Sequence, residues 1–128
     1  MTNQTSPAPM ASTPASVVVT VGTTTIEFEL NDSAAARSLL AQLPFEVTVE
    51  DYSTNEKVFH PSKALETTGT PLLESAVPGT LAYFEPWNNV VLYYGDAGPY
   101  GGLYLLGQVT AGAEHIGSLS GVITVRAA

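Results

Sequence analysis

The chain has 128 residues, 45% apolar and 12% charged, and its 12 acidic side chains against Arg37, Lys57, Lys63 and Arg126 give a net charge of −8. That length fits one domain with one core. Four scattered cations argue against a nucleic acid or an anionic membrane as partner, the lack of Cys removes disulfide, thiolate and thiolate-metal chemistry, and the acidic balance favours a neutral or cationic partner.

Residues 1–15 are rich in Ser, Thr, Pro and Ala and predict a disordered tail. They lack the basic start and apolar centre of a secretory signal, and no apolar run approaches the roughly 20 residues of a membrane helix, so the expected location is cytoplasmic. The folded domain is expected over residues 16–128. Val17, Val18, Val19 and Val21 form a β-branched run suited to a strand buried on both faces. After Gly22-Thr23-Thr24, the alternation of Ile26, Phe28 and Leu30 with Glu27 and Glu29 predicts a half-exposed strand, paired with the first in a hairpin.

Asn31-Asp32-Ser33 is a helix start, because a short polar side chain there accepts from the free N–H groups of the first turn. Ala34 to Leu43 continue the helix, Leu39, Leu40 and Leu43 share a face with Ala36, and Pro44 ends it. Phe45, Val47 and Val49 alternate with Glu46, Thr48 and Glu50 as a further strand. Ser53-Thr54-Asn55 is a turn, and Val58-Phe59 a short strand ended by Pro61. Pro61 to Ala76 is polar and irregular and predicts a long surface excursion.

From Pro78 to Gly112 the chain holds its only Trp, five of its six Tyr and seven of its eleven Gly. This stretch reads as three consecutive strands: Thr80–Glu85, Val90–Tyr94 and Leu103–Val109. Pro86–Asn89 is the first connection. The glycine-rich loop Gly95–Gly102 reads as a hairpin loop between the last two strands. One or two helical turns follow within Ala111–Leu119. Val122–Val125 is a final strand that pairs with Val17–Val21. About eight strands and one substantial helix predict a mainly β fold, a small closed barrel, because closure removes sheet edges.

Three segments resemble the bacterial cyclophilin-like fold proteins. They are Leu43-Pro44 followed by a strand and Asn55-Glu56-Lys57-Val58-Phe59; Pro78-Gly79-Thr80-Leu81-Ala82-Tyr83 followed by Val90-Val91-Leu92-Tyr93-Tyr94-Gly95; and Leu105-Leu106-Gly107-Gln108-Val109-Thr110-Ala111-Gly112. The resemblance spans about residues 16–127 and implies a cyclophilin-like barrel. True cyclophilins isomerise X-Pro bonds with a fixed Arg that follows a Phe-His pair. Here Phe59-His60 is followed by Pro61, and Gly98 and Leu103 stand where the pocket Trp and His of that family would fall. The resemblance therefore implies the barrel without the isomerase site.

Trp87 and Tyr100 lie in loops of the aromatic set Tyr83, Phe84, Trp87, Tyr93, Tyr94, Tyr100 and Tyr104, and are its expected contact residues. The opposing reading has these rings filling the core and covering the outside. Glu56, singled out by the resemblance, would orient a cationic or hydroxylated ligand at a barrel rim or act as a base if burial raises its pKa, or else make a turn contact or ion pair. His60 and His115 lack a nucleophile or an orienting carboxylate at a recognisable spacing, and they form no metal motif. Ser118 and Ser120 lack a hydrolase frame. The glycine loop lacks the Lys-Ser/Thr ending of a phosphate cradle.

The sequence thus predicts no catalytic residue, no metal and no cofactor. It predicts a binding module for a small molecule or short peptide, with Glu56, Phe59, Tyr83, Trp87 and Tyr100 at the rim. A divergent prolyl isomerase using Lys57 or Lys63 is the enzymatic alternative, and assembly through a free strand edge a third. The oligomeric state is left open.

Overall fold

The computed structural model describes residues 14–98 and 100–128, so residues 1–13 of the expected tail lie outside the described residues. The strands are β1 (Ser16–Val21), β2 (Thr24–Leu30), β3 (Phe45–Tyr52), β4 (Glu56–Phe59), β5 (Thr80–Phe84), β6 (Asn89–Tyr93), β7 (Leu103–Ala111) and β8 (Gly121–Ala127). They close into one antiparallel barrel in the order β1-β2-β7-β5-β6-β4-β3-β8. β1 makes the closure by pairing with both β2 and β8, with Val19 opposite Ile26 on one side and Val125 on the other. Each described strand is paired on both sides, so the barrel offers no free edge for assembly among the described residues.

One helix, α1 (Ala34–Gln42), connects β2 to β3. Ser33 caps it by accepting from the Ala36 N–H at 3.1 Å, and Thr70 accepts from the Ala35 N–H at 3.2 Å. The helix buries Ala35, Ala36 and Leu39 in the barrel core, while Leu40 and Leu43 are only partly buried. Among the described residues, two 3-10 turns complete the regular structure, Glu85–Trp87 between β5 and β6 and Ala113–Ser118 between β7 and β8.

One expected connection is corrected. β6 and β7 do not form a hairpin: β5 lies between them and pairs with both. The stretch Gly95–Gly102 is a crossover past β5, because a run of apolar strands and turns identifies strands without identifying partners.

The wall formed by β4, β6 and β5 is apolar on both faces. Phe59, Leu81, Tyr83, Val90 and Leu92 point into the barrel and join its core. Val58, Ala82, Val91 and Tyr93 point outward and form a second cluster with Leu103 and Ala76. The Pro61–Ala76 excursion covers part of this outer face. Its Leu73 N–H donates to Leu103 O at 2.9 Å, and Ala76 and Ala97 exchange two backbone bonds at 2.8 and 3.1 Å.

At Gly107 the β2 backbone passes so close that a Cβ would overlap the Glu29 carbonyl oxygen, whereas a Cβ on Gly101 meets nothing within 4 Å. Gly107→Ala is therefore expected to destabilise the barrel by about 2 kcal/mol or more, and Gly101→Ala to stay within about 0.5 kcal/mol of wild type. Urea unfolding of the two variants checks both values.

Candidate functional site

The pleat of β4 sends Glu56 and Val58 to the outer face and Lys57 and Phe59 to the inner one. Glu56 stands opposite Tyr52 on β3 and opposite Tyr93 on β6, so the three form one row across three strands. Two pleats along β6, past Val91, Asn89 stands opposite Phe84 on β5. These outward residues floor a cleft of about 210 Å³, with Trp87 and Tyr100 completing its walls.

The rings meet edge to face in a chain. Tyr52 and Trp87 have centroids 5.5 Å apart, Trp87 and Phe84 5.3 Å, and Phe84 and Tyr100 6.4 Å. The wall rings are partly open to water, with Trp87 54%, Tyr100 47% and Tyr52 44% exposed. The floor is not, since Glu56 and Asn89 are each 5% exposed.

Two polar groups in this floor lack partners among the described residues. Asn89 Oδ1 is fully buried without a hydrogen bond. Glu56 takes part in none of the ion pairs among the described residues. Burial in this apolar setting pushes its carboxyl above the usual carboxylate value. Burial also raises the neighbouring Tyr93 phenol, and the Glu56 charge raises it further.

None of the chain's four cations lines the cleft. Lys57 lies on the opposite face of β4, where it pairs with Asp51 and sits 6.0 Å from the centre of the Tyr94 ring. Lys63 lines a separate shallow pocket with Gln42 and Phe45. Arg37 pairs with Asp32, and Arg126 is on β8.

Of the five residues expected at a rim, the cleft brings together Glu56, Trp87 and Tyr100. Phe59 and Tyr83 are elsewhere: both are fully buried inside the barrel, on the other face of the wall. Phe59 is three positions from Glu56, an odd number that sends it to the opposite face of the strand. Tyr83 is one position from the cleft residue Phe84, with the same result. The cleft also lies on the outer wall and not at a barrel rim.

Tyr52 and Asn89 are cleft residues that the sequence reading placed outside any site. Asn89 is legible in part, because it shares the parity of Val91 and Tyr93 at the head of an apolar strand. Tyr52 needs the register of β3 on β4, which no local pattern specifies.

His60 is exposed and His115 half-buried, and both are outside the cleft. His60 Nδ1 is 3.0 Å from Asn88 O, and His115 Nε2 is 3.4 Å from Glu114. No group of three His, Cys, Asp or Glu able to hold a metal occurs among the described residues. No described helix is long and apolar enough to cross a membrane.

A model of the cyclophilin-like family matches residues 19–128. Among solved structures, a hypothetical protein from Archaeoglobus fulgidus, determined in solution, is similar with a TM-score of 0.71. The two share 18% identity over 90% of this chain and 95% of that one, a likeness that speaks for the fold alone. No curated protein matches the chain.

The Glu56 carboxyl has its folded-state pKa raised, so the folded protein binds this proton more tightly than the unfolded chain. The favourable contribution is complete below the ordinary carboxylate value and is lost as pH rises through the raised one. Glu56→Gln, neutral at every pH, is expected to be more stable than wild type at neutral pH, with the difference shrinking in acid. Urea unfolding of both proteins across this range checks the sign.

Proposed function

The chain belongs to the cyclophilin-like family, and we propose that it is a non-catalytic binding module that holds a small molecule or short peptide in the outer-wall cleft. One observation carries this reading. The cleft joins a chain of four aromatic rings to two buried polar residues: Glu56, which is in no ion pair among the described residues, and Asn89, whose Oδ1 has no hydrogen bond there. Apolar ring surface supplies binding energy, and a few convergent polar groups supply orientation. A ligand that covers the rings and offers donors to these residues satisfies both requirements.

The same geometry speaks against prolyl isomerisation. That chemistry, as the family resemblance describes it, needs a fixed cation beside the X-Pro bond. Lys57 and Lys63, its candidate substitutes, are both outside the cleft.

Trp87 is the only tryptophan, so its emission reports on the cleft directly. Titration with a broad panel of small polar, aromatic and peptide ligands is expected to give a saturable change for at least one class. Tyr100→Ala, which removes one wall of the cleft, is expected to weaken that binding about tenfold. A flat response across the panel overturns the reading. In a standard X-Pro peptide assay the protein is expected to give no acceleration at high concentration, and measurable turnover would restore the enzymatic alternative.

A further inference from the structure

The two unpartnered groups of the cleft have the same hydrogen-bonding character. Asn89 Oδ1 is an acceptor, and an ionised Glu56 is acceptor only. An anion in the cleft would face the Glu56 carboxylate and a chain of net charge −8. A purely apolar ligand would seal both acceptors away from water without pairing them. A ligand that brings positive charge and N–H donors satisfies them, and its charged end is attracted to the faces of Tyr and Trp rings.

The floor also sets a length. Glu56 is level with Tyr93, four positions along β6 from Asn89, so their Cα atoms are about 13 Å apart along the strand. Val91 lies between them on the same face. At about 210 Å³ the cleft is smaller than the ~300–1,000 Å³ of sites that enclose a drug-sized molecule. It suits a short chain and not a bulky ring system.

We propose that the cleft selects an alkylamine whose ammonium pairs with Glu56, whose short apolar body lies over Val91 between the aromatic walls, and whose far end offers a second N–H to Asn89. This names the ligand class of the binding reading above and rests on it. Two sources share the chemistry, a free short diamine and a lysine side chain with its own backbone amide.

Calorimetric titration of the full chain separates these cases, with 1,5-diaminopentane, Nα-acetyl-lysine methylamide, pentylamine and 1-pentanol as probes. The diamine or the lysine derivative is expected to bind about tenfold or more tightly than pentanol, and Glu56→Gln to weaken the amines by about tenfold while leaving pentanol unchanged. Asn89→Ala is expected to reduce the two-ended ligands to the level of pentylamine. Trp87→Ala, at an exposed position, is a second variant that keeps the fold and is expected to weaken all the amines. Preference for the lysine derivative assigns a peptide source, and preference for the diamine a free metabolite.

Pentanol binding as tightly as the amines, or amine affinity that survives Glu56→Gln, overturns the amine assignment and leaves the binding reading standing. Failure of all the amines beside a hit of another class on Trp87 emission has the same effect. Failure of every probe and of the wider panel overturns both.

Discussion

The organising constraint is a wall with two apolar faces. β6 is buried along its whole length, Asn89 to Tyr93, and its neighbours β4 and β5 are nearly so. Its inner face is covered by closing the barrel. Its outer face has to be covered by something else, because each large apolar side chain left in water forgoes about 1.5–3 kcal/mol. The excursion before β5 and the crossover before β7 meet at Ala76 and Ala97 and do this over one half of the wall. Over the other half the cover is a chain of rings that stand edge to face, with space beneath them. The cleft is the part of the outer face that the described segments leave uncovered.

Tyr83 ties the two faces together. Its ring fills the barrel interior, and its hydroxyl donates to Asn88 Oδ1 at 2.7 Å and accepts from the Leu65 N–H at 3.1 Å. Asn88 adopts a left-handed backbone at φ 53°, a conformation that Asn tolerates better than most residues, and its Nδ2 donates to Pro61 O at 3.2 Å. The start of the excursion is thereby fastened to the turn that carries Trp87. Tyr83 thus bears on the cleft through the position of Trp87, without lining it.

Period-two alternation and turn chemistry made the strands and the helix legible, since both are written in short stretches of sequence. Strand partners were not, since β5 inserts between β6 and β7 through contacts far apart in the chain. The cleft shows the same division. Trp87 and Tyr100 are ring-bearing loop residues, and loop position alone marks them as exposed. Phe59 and Tyr83 required a decision about which face of a strand is outermost. In β4 and β5 both faces carry buried apolar side chains, and β4 has one charge on each face, so the alternation that identifies a core face in β2 and β3 carries no such information here.

Glu56 is the element that the barrel's own stability does not account for. A buried carboxylate without a partner weakens a fold, and the usual remedy is an adjacent cation. A cation is adjacent in the chain, at Lys57, but the pleat directs it to the opposite face, where Asp51 engages it. The two charges are separated by the thickness of the sheet. Asn89 repeats the pattern at the other end of the floor, with an acceptor buried and unpaired where an apolar side chain would pack against Val91 and Phe84 at no such cost. Both residues line the cleft, over the part of the outer face that the described segments leave uncovered.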